Sequence, residues 1–205
     1  MYSPARKIKK SSVKNIVRFP SSKNNRTLLL ESILESQFAL LLEYDNNVEE
    51  YFEQPKTFFL EDENRKTYRY TPDFLIVFKN GSRKFIEVKP KKEVESGKFS
   101  KVFNLFQQRS AQSGDGFEVM SEEYIQKKPL LQNLKYFYRF RKHQILNMEL
   151  FEEISNQVTT PVTFKDLHQN YDLKSLYQLI AFGYIKFDIN NEPFSVNSKV
   201  WFNEE

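Results

Sequence analysis

The apolar and polar positions of the chain change period several times, and those changes divide it into elements. Thr27 to about Tyr44 carries Leu28, Leu29, Leu30, Ile33, Leu34, Phe38, Leu41 and Leu42, a spacing that predicts one helix with a wide apolar face. Val48 to Leu60 predicts a strand, with Gln54-Pro55 at a bulge or an edge because proline has no N–H for the ladder. Glu61–Asn64 is turn-like, and Lys66–Tyr70 predicts a further strand. Phe74–Phe78 and Phe85–Val88 are β-branched and aromatic runs on either side of Asn80-Gly81, which predicts a hairpin. A second helix is predicted over Phe99–Ala111, then a short strand Phe117–Met120, then a helix start at Ser121 with Glu122 and Glu123 in its first turn. Helix, several strands, helix, strand is the order of an α/β fold, a mixed sheet flanked by helices.

Beyond this core the pattern changes twice. Pro129 to about Met148 predicts one helix in which Lys135, Arg139, Arg141, Lys142 and His143 alternate with Tyr136, Phe137, Tyr138 and Phe140. Such a helix either lays cations on phosphates or buries its rings and exposes its charges, and the sequence supports both equally. From about Thr159, helices over Thr163–Gln169 and Asp172–Phe182 precede a hairpin of Tyr184–Ile189 and Phe194–Phe202, an order that resembles a winged-helix module. Residues 159–205 hold four Lys and no Arg against six acids, which favours protein docking over DNA reading.

Composition and charge alter this picture in two places. With no cysteine in 205 residues, disulfides are excluded, a reducing compartment is expected, and any metal must be held by oxygen or histidine. His143 and His168 lie in different segments, so a histidine-based zinc site is not expected. The basic N-terminus has no apolar stretch behind it and no run approaches a membrane span, so neither secretion nor membrane insertion is expected. The net charge of +4 conceals an asymmetry: residues 1–26 contain eight Lys/Arg and no acid, leaving 23 basic against 27 acidic groups elsewhere. Arg6, Lys7, Lys9, Lys10, Lys14 and Arg18 are thereby candidate DNA contacts on a flexible arm that follows a phosphate backbone; a solubilising tail is the competing reading.

The candidate chemistry lies on the central hairpin. Asp73 follows Pro72 at the start of its first strand, and Glu87 and Lys89, two apart on the second, share a face of the sheet. Two carboxylates supply the hard oxygens that Mg²⁺ prefers, and a cation beside them holds or helps deprotonate an attacking water and offsets charge building on phosphorus oxygens. The bland alternative is an exposed hairpin end with a solvated Glu-Lys pair. Register decides between them. A two-residue Asn80-Gly81 turn pairs Asp73 with Val88 and sends it to the face opposite Glu87 and Lys89, whereas a three-residue Asn80-Gly81-Ser82 loop, or one bulge, pairs Asp73 with Lys89 and gathers all three. The three-residue or bulged form is therefore expected. On the first helix, spacing alone does not choose among Glu31, Glu35 and Glu43 as a further acid.

These residues carry a resemblance. Pro72-Asp73 followed by Glu87-Val88-Lys89 resembles the Pro-Asp…(Asp/Glu)-x-Lys signature of restriction-endonuclease-like nucleases. Its surroundings, Glu35 to Asp45, then Val48 to Pro55 with Glu53-Gln54-Pro55, then Thr71-Pro72-Asp73-Phe74-Leu75, then Glu87 to Pro90, are similar in order to the TnsA-type endonuclease subunit of heteromeric bacterial transposases, and Ala181–Asp188 is similar to that family's C-terminal part. The resemblance implies a restriction-endonuclease-like domain at 27–128 between the basic arm at 1–26 and a connecting helix at 129–158, with a winged-helix-like, partner-binding module at 159–205. It implies Glu35, Asp73, Glu87 and Lys89 as catalytic residues, and Asp73, Glu87 and Val88 as the holders of Mg²⁺, for which Mn²⁺ would substitute. It further implies a DNA endonuclease cutting the 5′ strand ends of a mobile element in double-stranded DNA, with a DDE transposase subunit and an AAA+ ATPase regulator as partners, in the bacterial cytoplasm at the nucleoid and away from membranes. One departure stands out: residues 102–113, on the helix after the Lys strand, contain no acid, and Asn104, Gln107 or Gln108 would replace one only weakly, so one-metal chemistry is more secure than two-metal. A catalytically weak assembly adaptor is the alternative, and restriction or repair a third possibility that the C-terminal similarity disfavours.

Overall fold

A computed structural model describes residues 16–141, 146–159 and 161–202. The first described element is a hairpin of β1 (Val17–Ser21) and β2 (Arg26–Leu30), in register from Val17 opposite Leu30 to Ser21 opposite Arg26. This corrects two expectations. Leu28 and Leu30 are buried while Leu29 is exposed, so the leucine run alternates with period two and belongs to a strand, not to the start of a helix. The basic stretch is likewise not a free arm as far as Arg26. Lys23 Nζ donates to the carbonyls of Asp45 and Val48 at 2.6 and 2.7 Å, and Arg26 forms a two-pronged pair with buried Glu53 at 2.7 and 2.5 Å. Arg18 is exposed on β1, whereas Arg6, Lys7, Lys9, Lys10 and Lys14 lie outside the described residues.

Helix α1 (Ile33–Tyr44) starts where its cap dictates, with Ser32 Oγ accepting the Glu35 N–H at 3.0 Å. β3 (Val48–Glu53) and β4 (Phe58–Glu61) are separate strands, because Gln54 has a left-handed φ of +46° and Pro55 cannot donate; the single strand expected over Val48–Leu60 breaks there. β4 pairs antiparallel with β5 (Thr67–Tyr70). β6 (Phe74–Phe78) and β7 (Arg83–Val88) form the central hairpin, followed by α2 (Lys91–Glu95), α3 (Ser100–Ala111), β8 (Gly116–Met120) and α4 (Glu122–Ile125).

The main sheet has the order β3-β6-β7-β8, antiparallel except for the parallel pair β7–β8, whose connection runs through α2 and α3. On one side α1 packs Phe38 against Phe74, at 5.4 Å between ring centroids, with Tyr51 also against Phe74. On the other, α3 and the β4–β5 hairpin bury a cluster of rings in which Phe106 meets Phe58, Tyr70, Phe85 and Phe117 at 4.7–5.3 Å. A mixed sheet with helices on both faces is the architecture of a restriction-endonuclease-like core.

Chain contacts divide the molecule into two units, residues 1–126 and 127–205. In the second, the single helix expected from Pro129 to Met148 is replaced by α5 (Leu130–Tyr138) and α6 (Met148–Gln157), the latter capped by Asn147. Phe137 is buried among Tyr177, Phe187 and Phe194, and Asn133 ties α5 to the carbonyls of Ile189 and Glu192 and the N–H of Phe194, all at 2.9 Å. The Arg139 guanidinium lies over the Tyr136 ring, 4.1 Å from its centroid. His143 falls outside the described residues, and His168 is exposed. β9 (Val162–Thr163), α7 (Phe164–Asn170), α8 (Leu173–Ala181), β10 (Ile185–Lys186) and β11 (Lys199–Phe202) complete the unit, with the three strands in the order β10-β11-β9. Among the described residues no helix is long and apolar enough to cross a membrane.

Candidate active site

The central hairpin turns through Lys79, Asn80 and Gly81, with the Phe78 N–H on the Ser82 carbonyl at 2.9 Å. Gly81 has φ +80°, which a residue with a Cβ adopts only at a cost, and the Asn80 carboxamide oxygen accepts the Ser82 N–H. The loop has three residues, as expected, but sits one residue earlier than Asn80-Gly81-Ser82. Phe74 faces Ile86 and Val77 faces Arg83, and continuing that register by one step sets Asp73 opposite Glu87 rather than opposite Lys89. The side-chain face is the one required: Asp73, Glu87 and Lys89 fall on the same side of the sheet.

Each of these side chains is held by a different neighbour. Asp73 Oδ2 accepts the Val88 N–H at 2.8 Å, and its own carbonyl accepts the Gln54 N–H at 2.8 Å. Glu87 accepts from both ends, Lys89 Nζ on Oε1 at 2.8 Å and the Tyr70 hydroxyl on Oε2 at 2.7 Å. Lys89 also lies 3.8 Å from Asp73 Oδ2, while its N–H on the Met120 carbonyl fixes its backbone to β8. One ammonium thus serves two carboxylates. Glu35 is buried at the start of α1, where Ser32 Oγ and the Glu31 N–H hold it at 2.9 Å each. Its bonds are local to the helix, yet its charge is felt by both Asp73 and Lys89. Glu43, the other buried acid of α1, is bound by Ser21, Tyr51 and two backbone N–H groups of the β1–β2 turn. Asn104, Gln107 and Gln108 are all exposed on α3.

Electrostatics follow from this crowding. Burial, then the Glu87 charge, pushes the Asp73 carboxyl well above the ordinary carboxylate range. Burial likewise raises Glu35. For Lys89, burial pulls the ammonium down, but the charges of Asp73, Glu87 and Glu35 outweigh it and the net shift is upward, so Lys89 stays cationic at neutral pH. Burial and the adjoining Glu87 charge raise Tyr70, which therefore remains a hydroxyl donor. Tyr70 is a neighbour that motif reading does not assign to the site; Gln54 is read from the sequence either as helping to shape it or as only satisfying backbone groups. Tyr70 ends β5, three residues before Asp73, a spacing that strand alternation does not place on one face, so the sequence does not mark it.

The donor set suits a hard divalent cation: two buried carboxylates on one sheet face, Asp73 held back from ionising by burial and then by the Glu87 charge, beside the main-chain oxygen of Val88. Among the described residues no three His, Cys, Asp or Glu side chains gather closely enough to hold a metal, so neutral oxygens would have to complete the shell.

The mixed sheet flanked by helices is consistent with a restriction-endonuclease-like fold. Residues 45–128 match the family model described as TnsA-like endonuclease N terminal, and this match supports the TnsA-type endonuclease family. It runs from β3 to beyond α4 and includes Asp73, Glu87 and Lys89; Glu35 and everything after residue 128 lie outside it. No curated protein matches the chain. A domain of this family points to an endonuclease subunit of a transposase acting on DNA.

Proposed function

We propose that the chain is a divalent-cation-dependent DNA endonuclease that cuts the 5′ strand ends of a mobile element, in concert with a DDE transposase and an AAA+ ATPase regulator. The observation that carries this reading is the sharing of one ammonium, on Lys89, between Asp73 and Glu87 in a site buried on the sheet face. Mg²⁺, or Mn²⁺ in its place, would be held by the Asp73 and Glu87 carboxylates and the Val88 carbonyl, and when bound would acidify a water and stabilise the departing oxygen. In the reaction a water oxygen attacks phosphorus in line, the bond from phosphorus to the 3′ oxygen breaks, and that oxygen takes up a proton, leaving a 5′-phosphate and a 3′-hydroxyl. Lys89, set beside both carboxylates, positions the attacking water and neutralises phosphoryl oxygens as their charge grows. Tyr70 and Lys89 between them orient Glu87, and the Val88 N–H orients Asp73. Glu35, buried at the start of α1 and held by Ser32 and the Glu31 N–H, is read as acting beside this pair and not as one of its cation ligands.

In this reading Arg6, Lys7, Lys9, Lys10, Lys14 and Arg18 follow the DNA backbone, residues 159–205 form a winged-helix-like docking module for a protein partner, and the protein works at the bacterial nucleoid. The acidic balance of 159–205 supports the docking role. The test is 5′-strand cleavage on end-labelled transposon DNA with Mg²⁺ and the partner subunits. Asp73→Ala should abolish the 5′ cut while leaving the partners' 3′ cuts in place. Equal 5′ cleavage by both proteins would refute the assignment and leave the assembly adaptor standing.

A further inference from the structure

Gln54 is placed where two unfavourable features coincide. Both polar atoms of its carboxamide, Oε1 and Nε2, are buried without a hydrogen-bond partner, and the residue is only 2% exposed. Its backbone is left-handed, at φ +46°, a conformation that a side chain with a Cβ disfavours. A buried amide that has lost water and gained no partner weakens a fold, so sequences usually place an apolar residue there.

Position supplies a reason for both. Glu53 pairs with Phe74, so one further step of the register sets Gln54 opposite Asp73, and the Gln54 N–H on the Asp73 carbonyl at 2.8 Å locks that placement. The carboxylates of this site number too few to satisfy a divalent cation alone, since no third His, Cys, Asp or Glu gathers with them among the described residues. Carbonyl oxygens, like carboxylate and water oxygens, suit Mg²⁺ and Mn²⁺. A carboxamide adds such an oxygen without adding negative charge to a pair already sharing one lysine.

We propose that Gln54 Oε1 serves the cation site of Asp73 and Glu87 as a neutral oxygen donor, an inference that rests on the cation-dependent nuclease reading above. The unpartnered amide is then the donor that a cation would engage, and the left-handed turn before Pro55 holds its backbone beside Asp73.

The experiment is a calorimetric titration of Mn²⁺ into the intact, EDTA-stripped chain, together with melting curves with and without Mn²⁺, on the wild type, Gln54→Met, Gln54→Glu and Asp73→Asn. Methionine keeps length and backbone strain but removes both polar atoms. Gln54→Met should bind Mn²⁺ about 10-fold more weakly or worse, with a smaller Mn²⁺-induced rise in Tm, while its metal-free Tm is equal to or above wild type. Gln54→Glu should do the reverse, lowering the metal-free Tm by adding a third carboxylate and tightening Mn²⁺ binding. Wild-type affinity in Gln54→Met with a lower metal-free Tm would overturn the proposal, since it would mark an amide satisfied by an enclosed water. If Gln54→Met does not fold, Gln54→Glu decides, and Mn²⁺ affinity at or below wild type overturns the proposal. Wild-type binding that Asp73→Asn abolishes and Gln54→Met leaves unchanged removes only the role of Gln54. A wild type with no saturable Mn²⁺ binding removes the cation-dependent reading itself.

Discussion

Two buried acid sites in the first unit use the same materials in opposite ways. Glu43 is surrounded by donors: Ser21 and Tyr51 hydroxyls on one oxygen at 2.5 and 2.6 Å, and the N–H groups of Ser22 and Lys23 on the other at 3.0 Å. Its charge is spread over fixed hydrogen bonds, and the result is a clasp that fastens the β1–β2 hairpin to α1 and β3. Asp73 and Glu87 stand opposite each other with one lysine between them, and burial holds Asp73 well above the ordinary carboxylate range. A carboxylate saturated by donors supports structure; under the nuclease reading proposed above, a pair short of positive charge would take up a cation and a phosphate.

The sharpest way to break this contrast is to truncate one charged side chain in each site. Lys89→Ala or Asp73→Ala should lower 5′-strand cleavage in the assembled complex about 10²–10³-fold or more with the far-ultraviolet circular dichroism unchanged. Glu43→Ala should instead cost about 2–4 kcal/mol of stability, because it strands two buried hydroxyls and two N–H groups, as read from urea midpoints. If Glu43→Ala melts like wild type, the clasp is not structural.

A smaller effect comes from pH. The folded-state pKa of Asp73 is raised above its unfolded value, so its contribution is fully present below the ordinary Asp range and is lost as pH rises through the raised value. The metal-free wild type should therefore lose stability over that rise, and Asp73→Asn should flatten the slope, measured by denaturant midpoints in EDTA. Protons compete with the cation for the same carboxylate, so Mn²⁺ affinity should climb over the same interval. Ser32→Ala should cost about 1 kcal/mol through loss of the α1 cap, visible as a small fall in Tm. The exposed Lys84–Glu118 pair is the baseline, and Lys84→Ala should shift stability by less than about 0.5 kcal/mol.

How much of this was legible in the chain depended on how local the cause was. The alternating runs around Asn80-Gly81 sufficed for the hairpin, and Pro-Asp with Glu-x-Lys sufficed to single out the three polar residues on it. Which residues make the turn was not legible, because Asn80-Gly81 fits the last two positions of a three-residue loop as well as its first two. The run Leu28–Leu30 satisfies helical and strand periods alike, and only pairing with Val17–Phe19 resolves it. Glu43 and Glu35 look equivalent by spacing; the distant partners Ser21 and Tyr51 tell them apart. The parts played by Tyr70 and Gln54 depend on contacts made by folding and leave almost no local mark.

The turn at Lys79–Gly81 constrains how this hairpin can change in length. Adding or removing a single residue there transfers every later side chain of β7 to the reverse surface, unless a bulge absorbs the slip, and would carry Glu87 and Lys89 away from Asp73. Changes of two residues restore the phase, so loop variants of this protein should retain their chemistry in even steps and lose it in odd ones.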